Sequence, residues 1–207
     1  MVFLTFLREF QCTDDIGIGR LNLLSEVTNK DVRLVVERLG GKTFNDGLYR
    51  VAQADEIDAI SEFILEGFPE FENRVTPFAF DWLGRVFAVD QHRVEEGHAQ
   101  VVMIEFGAGE AMQIPCSAID FHEQELINFA DDALSLPFFN EWKSTHGEAI
   151  PYAKCVGYRT PLFLGGSDTL ENLELSDRSV YWHFCGQLRA QAMSMRDGQK
   201  IGRIELP

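Results

Sequence analysis

The sequence predicts an α+β fold in which an antiparallel meander sheet is flanked by helices, as one continuous unit or two tightly packed subdomains. Three observations lead to this class. Apolar and polar residues alternate with period two across residues 78–115, which is typical of half-buried strands. A helical period of 3.6 residues governs residues 55–67. Helical patterns return after Phe121, where two subdomains would meet.

Residues 1–40 are predicted to be mainly helical. The clearest helix covers residues 31–39 and is ended by Gly40 and Gly41. A strand follows at residues 47–51, and then an amphipathic helix at residues 55–67. The apolar face of that helix consists of Ile57, Ile60, Ile64 and Phe68.

The meander is predicted because segments of alternating apolar and polar residues lie on either side of short glycine turns, one at Gly84 and one at residues 107–109. Beyond it, helices are predicted at residues 121–134 and 137–142. The residues of the first that are expected to face inward are Leu126, Phe129, Ala130 and Ala133. A turn at Asp197 and Gly198 and a last strand at residues 201–206 complete the prediction.

Residues 158–191 are predicted to hold the C-terminal part of the core. The apolar run 162–164 stops at Gly165 and Gly166, which indicates a buried strand that ends in a turn. Ser176 or Asp177 then caps a helix. Its apolar stripe is expected to comprise Val180, Phe184 and Leu188, flanked by Tyr181, Cys185 and Ala192.

Charge is the strongest signal in the composition. The 207 residues include 33 acids and 18 bases, a net charge of −15 that disfavours direct nucleic-acid binding. No Lys or Arg lies between Arg50 and Arg74, or between Arg93 and Lys143. Two interpretations stay open at this point: a solvated acidic surface, or a surface complementary to a basic partner such as a nuclease.

The chain contains no apolar run long enough to span a membrane and no basic leader at its start. A cytoplasmic protein without a membrane partner is therefore expected. The four cysteines are far apart and form no Cys-x-x-Cys pair, so they are expected to be reduced core thiols.

The candidate catalytic and metal-binding residues of the sequence are histidines and nearby carboxylates. His122, Glu123 and Glu125 fall within one helical turn, which suggests a small-molecule hydrolase or ligand-binding domain as the alternative function. A zinc helix would need a second histidine at position 126, where Leu126 stands. His92 and His98 flank a loop and resemble exposed loop residues more than metal ligands. We therefore expect no catalytic residue, no metal and no cofactor.

Several short sequence motifs between residues 40 and 191 together resemble one family of bacterial proteins. They are residues 40–50, 81–85, 114–115, 121–122, 156–158, 161–166, 172–174, 180–182 and 186–188. In this order they are similar to immunity proteins associated with type VI secretion, in which a GAD-like N-terminal region precedes an immunity-type C-terminal domain. The resemblance implies residues 1–120 as the GAD-like region with the central sheet, and residues 121–207 as the mainly helical immunity domain.

The same resemblance implies a non-enzymatic protein that binds a cognate DNase toxin effector. We expect the contact to involve acidic side chains and one aromatic residue, while the oligomeric state is left open. The candidate toxin-binding residues are Glu95, Glu96, Glu123, Asp131, Asp132, Asp168, Glu171 and Trp182.

Overall fold

A seven-stranded antiparallel sheet forms the centre of the molecule, in a computed structural model that describes residues 2–194. The strands follow one another in sequence order, so the sheet is a meander throughout. They are β1 (Cys12–Asp15), β2 (Lys42–Phe44), β3 (Tyr49–Val51), β4 (Val75–Asp81), β5 (Val86–Glu95), β6 (His98–Glu105) and β7 (Glu110–Ser117). The predicted α+β class and antiparallel meander are confirmed. The predicted turn at residues 197–198 and the strand at 201–206 lie outside the described residues.

The N-terminal helices are α1 (Leu4–Glu9), α2 (Lys30–Leu39) and α3 (Ile57–Gly67). The Oδ1 atom of Asn29 caps α2, since it accepts hydrogen bonds from the amides of Asp31 and Val32, each at 3.0 Å. The predictions for α2, α3 and the strand at residues 47–51 are confirmed. The mainly helical prediction for residues 1–40 is wrong at β1, which pairs with β2 as the edge strand of the sheet.

The predicted helix at residues 121–134 is broken into short pieces. They are α4 (Ala118–Asp120), a π-helical turn (Phe121–Glu125), α5 (Leu126–Asn128) and α6 (Ala130–Ala133). Phe129 leaves helical geometry, with φ −134° and ψ 31°, and its side chain is 52% exposed. The prediction that Phe129 faces inward is therefore wrong, whereas Leu126 and Ala133 are buried as expected. Helix α7 (Leu136–His146) includes the predicted segment 137–142.

Strands β8 (Lys154–Tyr158) and β9 (Leu173–Asp177) form a separate two-stranded antiparallel sheet. Between them, residues 162–164 form a 3-10 turn (Leu162–Leu164) whose side chains are only partly buried, so the predicted buried strand there is wrong. Asp177 immediately precedes helix α8 (Arg178–Ser194) and caps it, since its Oδ1 accepts a hydrogen bond from the Ser179 amide at 3.1 Å, as predicted.

The buried side of α8 is rotated from the predicted stripe. Val180 is 65% exposed and Phe184 only partly buried. The buried residues of the helix are Arg178, Tyr181, Trp182, Cys185, Gly186 and Leu188. Within residues 2–194, the structure contains no helix that is both long and apolar enough to cross a bilayer.

Helical layers cover both faces of the large sheet. Alternate residues of β5 point to opposite faces, so that Phe87 and Val89 join one apolar cluster while Val86 and Ala88 join the other. The first cluster contains α1 and α2 together with Phe121 and the helices that follow it. The second is formed mainly by α3 and α8. Both clusters thus take side chains from each side of residue 120, and the division into regions 1–120 and 121–207 stays a prediction.

Candidate functional site

An acidic cleft of about 430 Å³ lies between the end of the β5–β6 hairpin and the segment from Pro115 to Phe129. We call this depression the acidic cleft throughout. Four carboxylates line it, and no Lys or Arg is found among its lining residues in the described part of the chain. The residues that line it are Glu95, Glu96, His98, Gln100, Pro115, Cys116, Ser117, Asp120, Gln124, Glu125, Asn128 and Phe129.

The end of the β5–β6 hairpin holds the first two carboxylates. Glu95 pairs with His98 across the strands, which leaves Glu96 and Gly97 as a two-residue turn. Both turn residues have positive φ, 50° for Glu96 and 81° for Gly97. The Nδ1 atom of His98 lies 2.6 Å from Oδ2 of Asp31, which ties the hairpin to the start of α2. This link positions Glu95 and Glu96 at the cleft.

Asp120 and Glu125 supply the other two carboxylates from the helical side. Ser117 caps α4 and donates a hydrogen bond from Oγ to Oδ2 of Asp120 at 2.7 Å, while Nε2 of Gln124 donates to Oδ1 at 2.9 Å. Neutral partners therefore fix the Asp120 carboxylate in place. Among residues 2–194, none of the four cleft carboxylates has a cationic side chain within 4.0 Å, so their charges are not neutralised by the fold.

Two uncharged residues, Gln100 and Cys116, also line the cleft. Gln100 is only 6% exposed, and its Nε2 donates to the backbone oxygen of His98 at 3.1 Å, but its Oε1 has no hydrogen-bond partner within the described residues. Burial, reinforced by the nearby charges of Glu125 and Asp120, raises the pKa of the Cys116 thiol to about 12. The cleft is thus a region of negative potential with an unused acceptor in its wall.

The predicted residues Asp131 and Asp132 follow the cleft-lining segment in the chain. Both are exposed and lie in the first turn of α6, where their charges also favour the positive end of the helix. Phe129 lines the cleft and immediately precedes α6, but the two aspartates are not among the lining residues. Of the predicted residues, Glu95 and Glu96 line the cleft, and a contribution of Asp131 and Asp132 to the same surface stays a prediction.

The other predicted residues do not line the cleft. Glu123 is partly buried in the π-helical turn. Asp168 and Glu171 are exposed in the connection between β8 and β9, where Tyr158 donates its hydroxyl hydrogen to Oδ1 of Asp168 at 2.7 Å. Trp182 is fully buried, and its Nε1 donates to the backbone oxygen of Gly84 at 2.6 Å. The prediction that Trp182 contacts a partner is therefore wrong.

His122 does not form part of an exposed catalytic group. Its side chain is fully buried, with Nδ1 2.7 Å from the Ala118 backbone oxygen and Nε2 2.9 Å from the Tyr49 hydroxyl. Burial lowers the pKa of His122 to about 4, so the ring is neutral at pH 7. Glu125 lines the acidic cleft, away from this buried ring. The histidine of the alternative hydrolase site built on His122, Glu123 and Glu125 is therefore not accessible to a substrate.

The histidines and acidic residues do not form a metal site in the described part of the chain. Across the described range 2–194, no three His, Cys, Asp or Glu side chains are placed so that they could hold one metal ion. His92 is exposed within β5, where the register shifts between Asp90 and Val94, so its predicted loop position is wrong. His98 contacts Asp31 through Nδ1. The cleft carboxylates are thus arranged around a space larger than a metal ion.

Residues 119–189 match the family model for the T6SS immunity protein Tdi1, C-terminal. The match supports an immunity-protein role. Because an immunity protein acts on a toxin, it also implies a toxin partner. The matched segment starts beside the acidic cleft and runs through most of α8. The resemblance of residues 1–120 to a GAD-like region stays a prediction.

The fold is also similar to that of a solved protein. The crystal structure of Atu4351 from Agrobacterium tumefaciens superposes with a TM-score of 0.67 at 16% sequence identity, and the alignment covers 90% of this chain and 89% of that one. At this identity the likeness concerns the fold alone. No curated protein matches the chain.

Sequence reasoning missed Asp120, Gln100 and Phe129 as parts of the cleft. Asp120 lies within the base-free interval 94–142, so the absence of bases was a signal for it. The sequence contained no signal for Gln100, because a single glutamine in a strand cannot be told from an ordinary surface residue until the tertiary structure is known. Phe129 was assigned to the core because its spacing fits a continuous helix that the structure interrupts.

Proposed function

We propose that this chain is a cytoplasmic immunity protein that binds and inhibits a cognate antibacterial DNase toxin. It acts without a cofactor and without binding nucleic acid itself. The acidic surface formed by the cleft and by Asp131 and Asp132 covers the basic groove with which the nuclease grips DNA. The single observation that carries the proposal is the group of cleft carboxylates that have no cationic partner within residues 2–194, on a chain whose residues 119–189 match an immunity-protein family model.

Electrostatics favours such an encounter. A nuclease presents a positive groove to the phosphates of DNA. The net charge of −15 on this chain attracts that groove from a distance. Complementary charge raises association rates to about 10⁸ M⁻¹s⁻¹ or more at low salt. A standard interface of roughly 1,600 Å² then suffices for tight inhibition. The domain organisation we propose is a GAD-like region at residues 1–120 and an immunity-type domain at residues 121–207, both of which supply cleft residues.

The direct test mixes the purified chain with the nuclease encoded beside its gene. We expect a stable complex and loss of DNA cleavage at equimolar protein. Normal cleavage in the presence of excess protein would refute the proposal. Binding that inhibits a toxin with another activity would retain the immunity role and refute the DNase assignment.

Charge reversal tests the surface. We expect the variant Glu95→Lys/Glu96→Lys/Asp131→Lys/Asp132→Lys to associate with the toxin about 10-fold or more slowly at low salt, because electrostatic steering contributes factors of this size. High salt should remove most of the difference. The matched control reverses four exposed glutamates outside the predicted surface, Glu62, Glu72, Glu141 and Glu148, which make no ion pair within residues 2–194. Reversal of Glu123, Asp168 and Glu171 tests the remaining predicted contacts separately. Equal association rates for the first variant and the wild type at low salt would show that the contact lies elsewhere.

A further inference from the structure

The acidic cleft has the chemistry of a receptor for a cation. Glu95, Glu96 and Glu125 carry no salt bridge within residues 2–194, and Asp120 is held by neutral donors only. An anionic ligand would meet repulsion from every charged group there. Within residues 2–194, no three possible metal ligands are placed to hold one ion, and the four carboxylates are distributed along the cleft. This distribution suits a larger cation whose donors reach several acceptors.

Gln100 provides an observation that is independent of the carboxylates. Its side chain is more than nine-tenths buried, lines the cleft, and leaves Oε1 without a partner in the described chain. The hydrogen bond from Nε2 to the His98 backbone oxygen orients the amide, because the reversed amide would set two oxygens against each other. A buried acceptor of this kind is satisfied only by a donor brought from outside.

Phe129 distinguishes between the two basic side chains. Its ring is 52% exposed and lines the cleft, which makes it available for stacking. A guanidinium group stacks on aromatic faces and presents five N–H donors in one plane, whereas an ammonium group offers three donors around a compact charge. Several carboxylates, one amide oxygen and one ring together fit the larger, planar group.

We propose that the acidic cleft receives an arginine side chain from a basic segment of the toxin, whose guanidinium group binds the cleft carboxylates and Gln100 while it stacks on Phe129. This inference rests on the proposed function. A cleft of about 430 Å³ holds more than one side chain, so neighbouring residues of the same segment enter with the arginine. The carboxylates then accelerate association, and Gln100 and Phe129 lengthen the lifetime of the complex.

The test compares two variants of equal charge. In the cleft variant, Glu95, Glu96 and Glu125 are replaced by Gln. In the control variant, the exposed residues Glu62, Glu72 and Glu148, which make no ion pair in the described chain, are replaced by Gln. With the neighbouring nuclease as the probe, we expect the dissociation constant to rise at least 10-fold for the cleft variant and less than 3-fold for the control.

Two further variants test the uncharged contacts. Gln100→Met keeps the length of the side chain but removes both the unpartnered oxygen and the Nε2 hydrogen bond to His98, two changes that act on stability in opposite directions. The urea midpoint should therefore change little while the dissociation rate of the complex rises several-fold. Phe129→Leu keeps an apolar group at an exposed position but removes the ring, and it should also raise the dissociation rate several-fold. If both variants dissociate as slowly as the wild type, the arginine receptor is refuted.

The outcomes separate this inference from the proposed function. If the wild type neither binds nor inhibits the nuclease, the proposed function fails. If the wild type inhibits and the cleft variant binds as tightly as the control variant, only the cleft inference fails. Each arginine of the nuclease is replaced in turn by lysine. One of these replacements should weaken the binding of the nuclease to the wild-type chain but should not weaken its binding to the cleft variant any further. An equal effect on both would also overturn the inference.

Discussion

Gly67 and Gly186 meet where α3 crosses α8, and a Cβ built on Gly67 would lie 2.9 Å from the Cα of Gly186. The reverse position is less tight, because a Cβ on Gly186 would lie 3.3 Å from the Gly67 nitrogen and 3.5 Å from its Cα. Two residues far apart in sequence therefore allow the backbones of two helices to approach each other. Arg189 reinforces the crossing by donating a hydrogen bond from Nη2 to Oε1 of Glu70 at 2.9 Å.

The asymmetry of this pair predicts unequal effects of two alanine substitutions. Gly67→Ala should lower the free energy of unfolding by about 1–3 kcal/mol, because its methyl group meets backbone that cannot rotate away. Gly186→Ala should change it by less than about 1 kcal/mol, because the higher helix propensity of alanine in α8 offsets the closer contact. Urea denaturation measures both. A larger loss for Gly186→Ala would contradict the geometry of the crossing.

The sequence predicted those elements whose apolar pattern matches one burial period. In α3, Ile57, Ile60 and Ile64 repeat at helical spacing, and only one face of that helix is apolar. The central strands β4 to β6 do not alternate between buried and exposed residues, because both faces of the sheet are covered, and their apolar runs and the glycine turns between them located them instead. Such patterns need no knowledge of the neighbouring elements, so local reasoning located these segments.

Elements whose packing depends on distant contacts were predicted less well. Residues 162–164 are apolar in a row, which suits a strand or a turn equally, and the hydrogen bond from the Leu162 amide to the Gly107 oxygen at 2.8 Å helps to decide for the turn. Helix α8 has apolar residues on more than one side, so its orientation is set by α3 and by Gly84, the acceptor for Trp182. The acidic cleft likewise exists only because distant segments approach each other. Charge patterning located Glu95 and Glu96, but not Gln100.

The buried ring of His122 predicts a pH-dependent stability. Desolvation lowers its pKa from 6.5 in the unfolded chain to about 4 in the fold, so between these values the unfolded state binds more protons. The resulting stabilisation is fully present above pH 6.5 and is lost as the pH falls towards 4 and through it. Its size is about 3 kcal/mol, at 1.36 kcal/mol per pKa unit.

His122→Gln tests this linkage. The variant should be less stable at pH 7, since it loses packing around Tyr49, but its unfolding free energy should fall less steeply than that of the wild type between pH 6.5 and 4.5. Urea denaturation across this range gives both slopes, and the carboxylates that titrate at lower pH are common to both proteins. Parallel slopes would show that another group dominates this range.

The stability of the fold should depend strongly on Glu56, the one carboxylate that pairs with Arg178 within residues 2–194. The guanidinium carbon lies 4.1 Å from the ring centre of Phe80, and Nη2 donates to Oε1 of Glu56 at 2.5 Å. Nε and Nη1 of Arg178 are buried and have no partner in the described chain. Glu56→Ala should therefore lower the free energy of unfolding by about 3–5 kcal/mol, because it leaves a buried charge uncompensated.

The matched control for this prediction is Glu62→Ala. Glu62 belongs to the helix that Glu56 precedes, but it is exposed and makes no ion pair within residues 2–194, so its loss should cost no more than about 0.5 kcal/mol. Thermal and urea denaturation of the two variants give the comparison. Equal, small losses would mean that the cation–aromatic contacts alone hold Arg178 in place.

At position 96, we expect a substitution that stabilises the fold to slow the binding of the toxin. It occupies the first position of a two-residue hairpin turn at φ 50°, where Asn is favoured and Glu is strained. Glu96→Asn should therefore raise the free energy of unfolding by about 0.5–1 kcal/mol, whereas Glu96→Gln, which keeps the strain, should leave it unchanged. Both variants remove one charge from the acidic cleft and should slow toxin association equally at low salt. Denaturation combined with stopped-flow association measures the two effects. If the backbone strain at Glu96 is tolerated because its charge is needed for binding, only Glu96→Asn should stabilise the fold and both variants should bind the toxin more slowly. Faster binding by the stabilised variant would mean that Glu96 has a purely structural role.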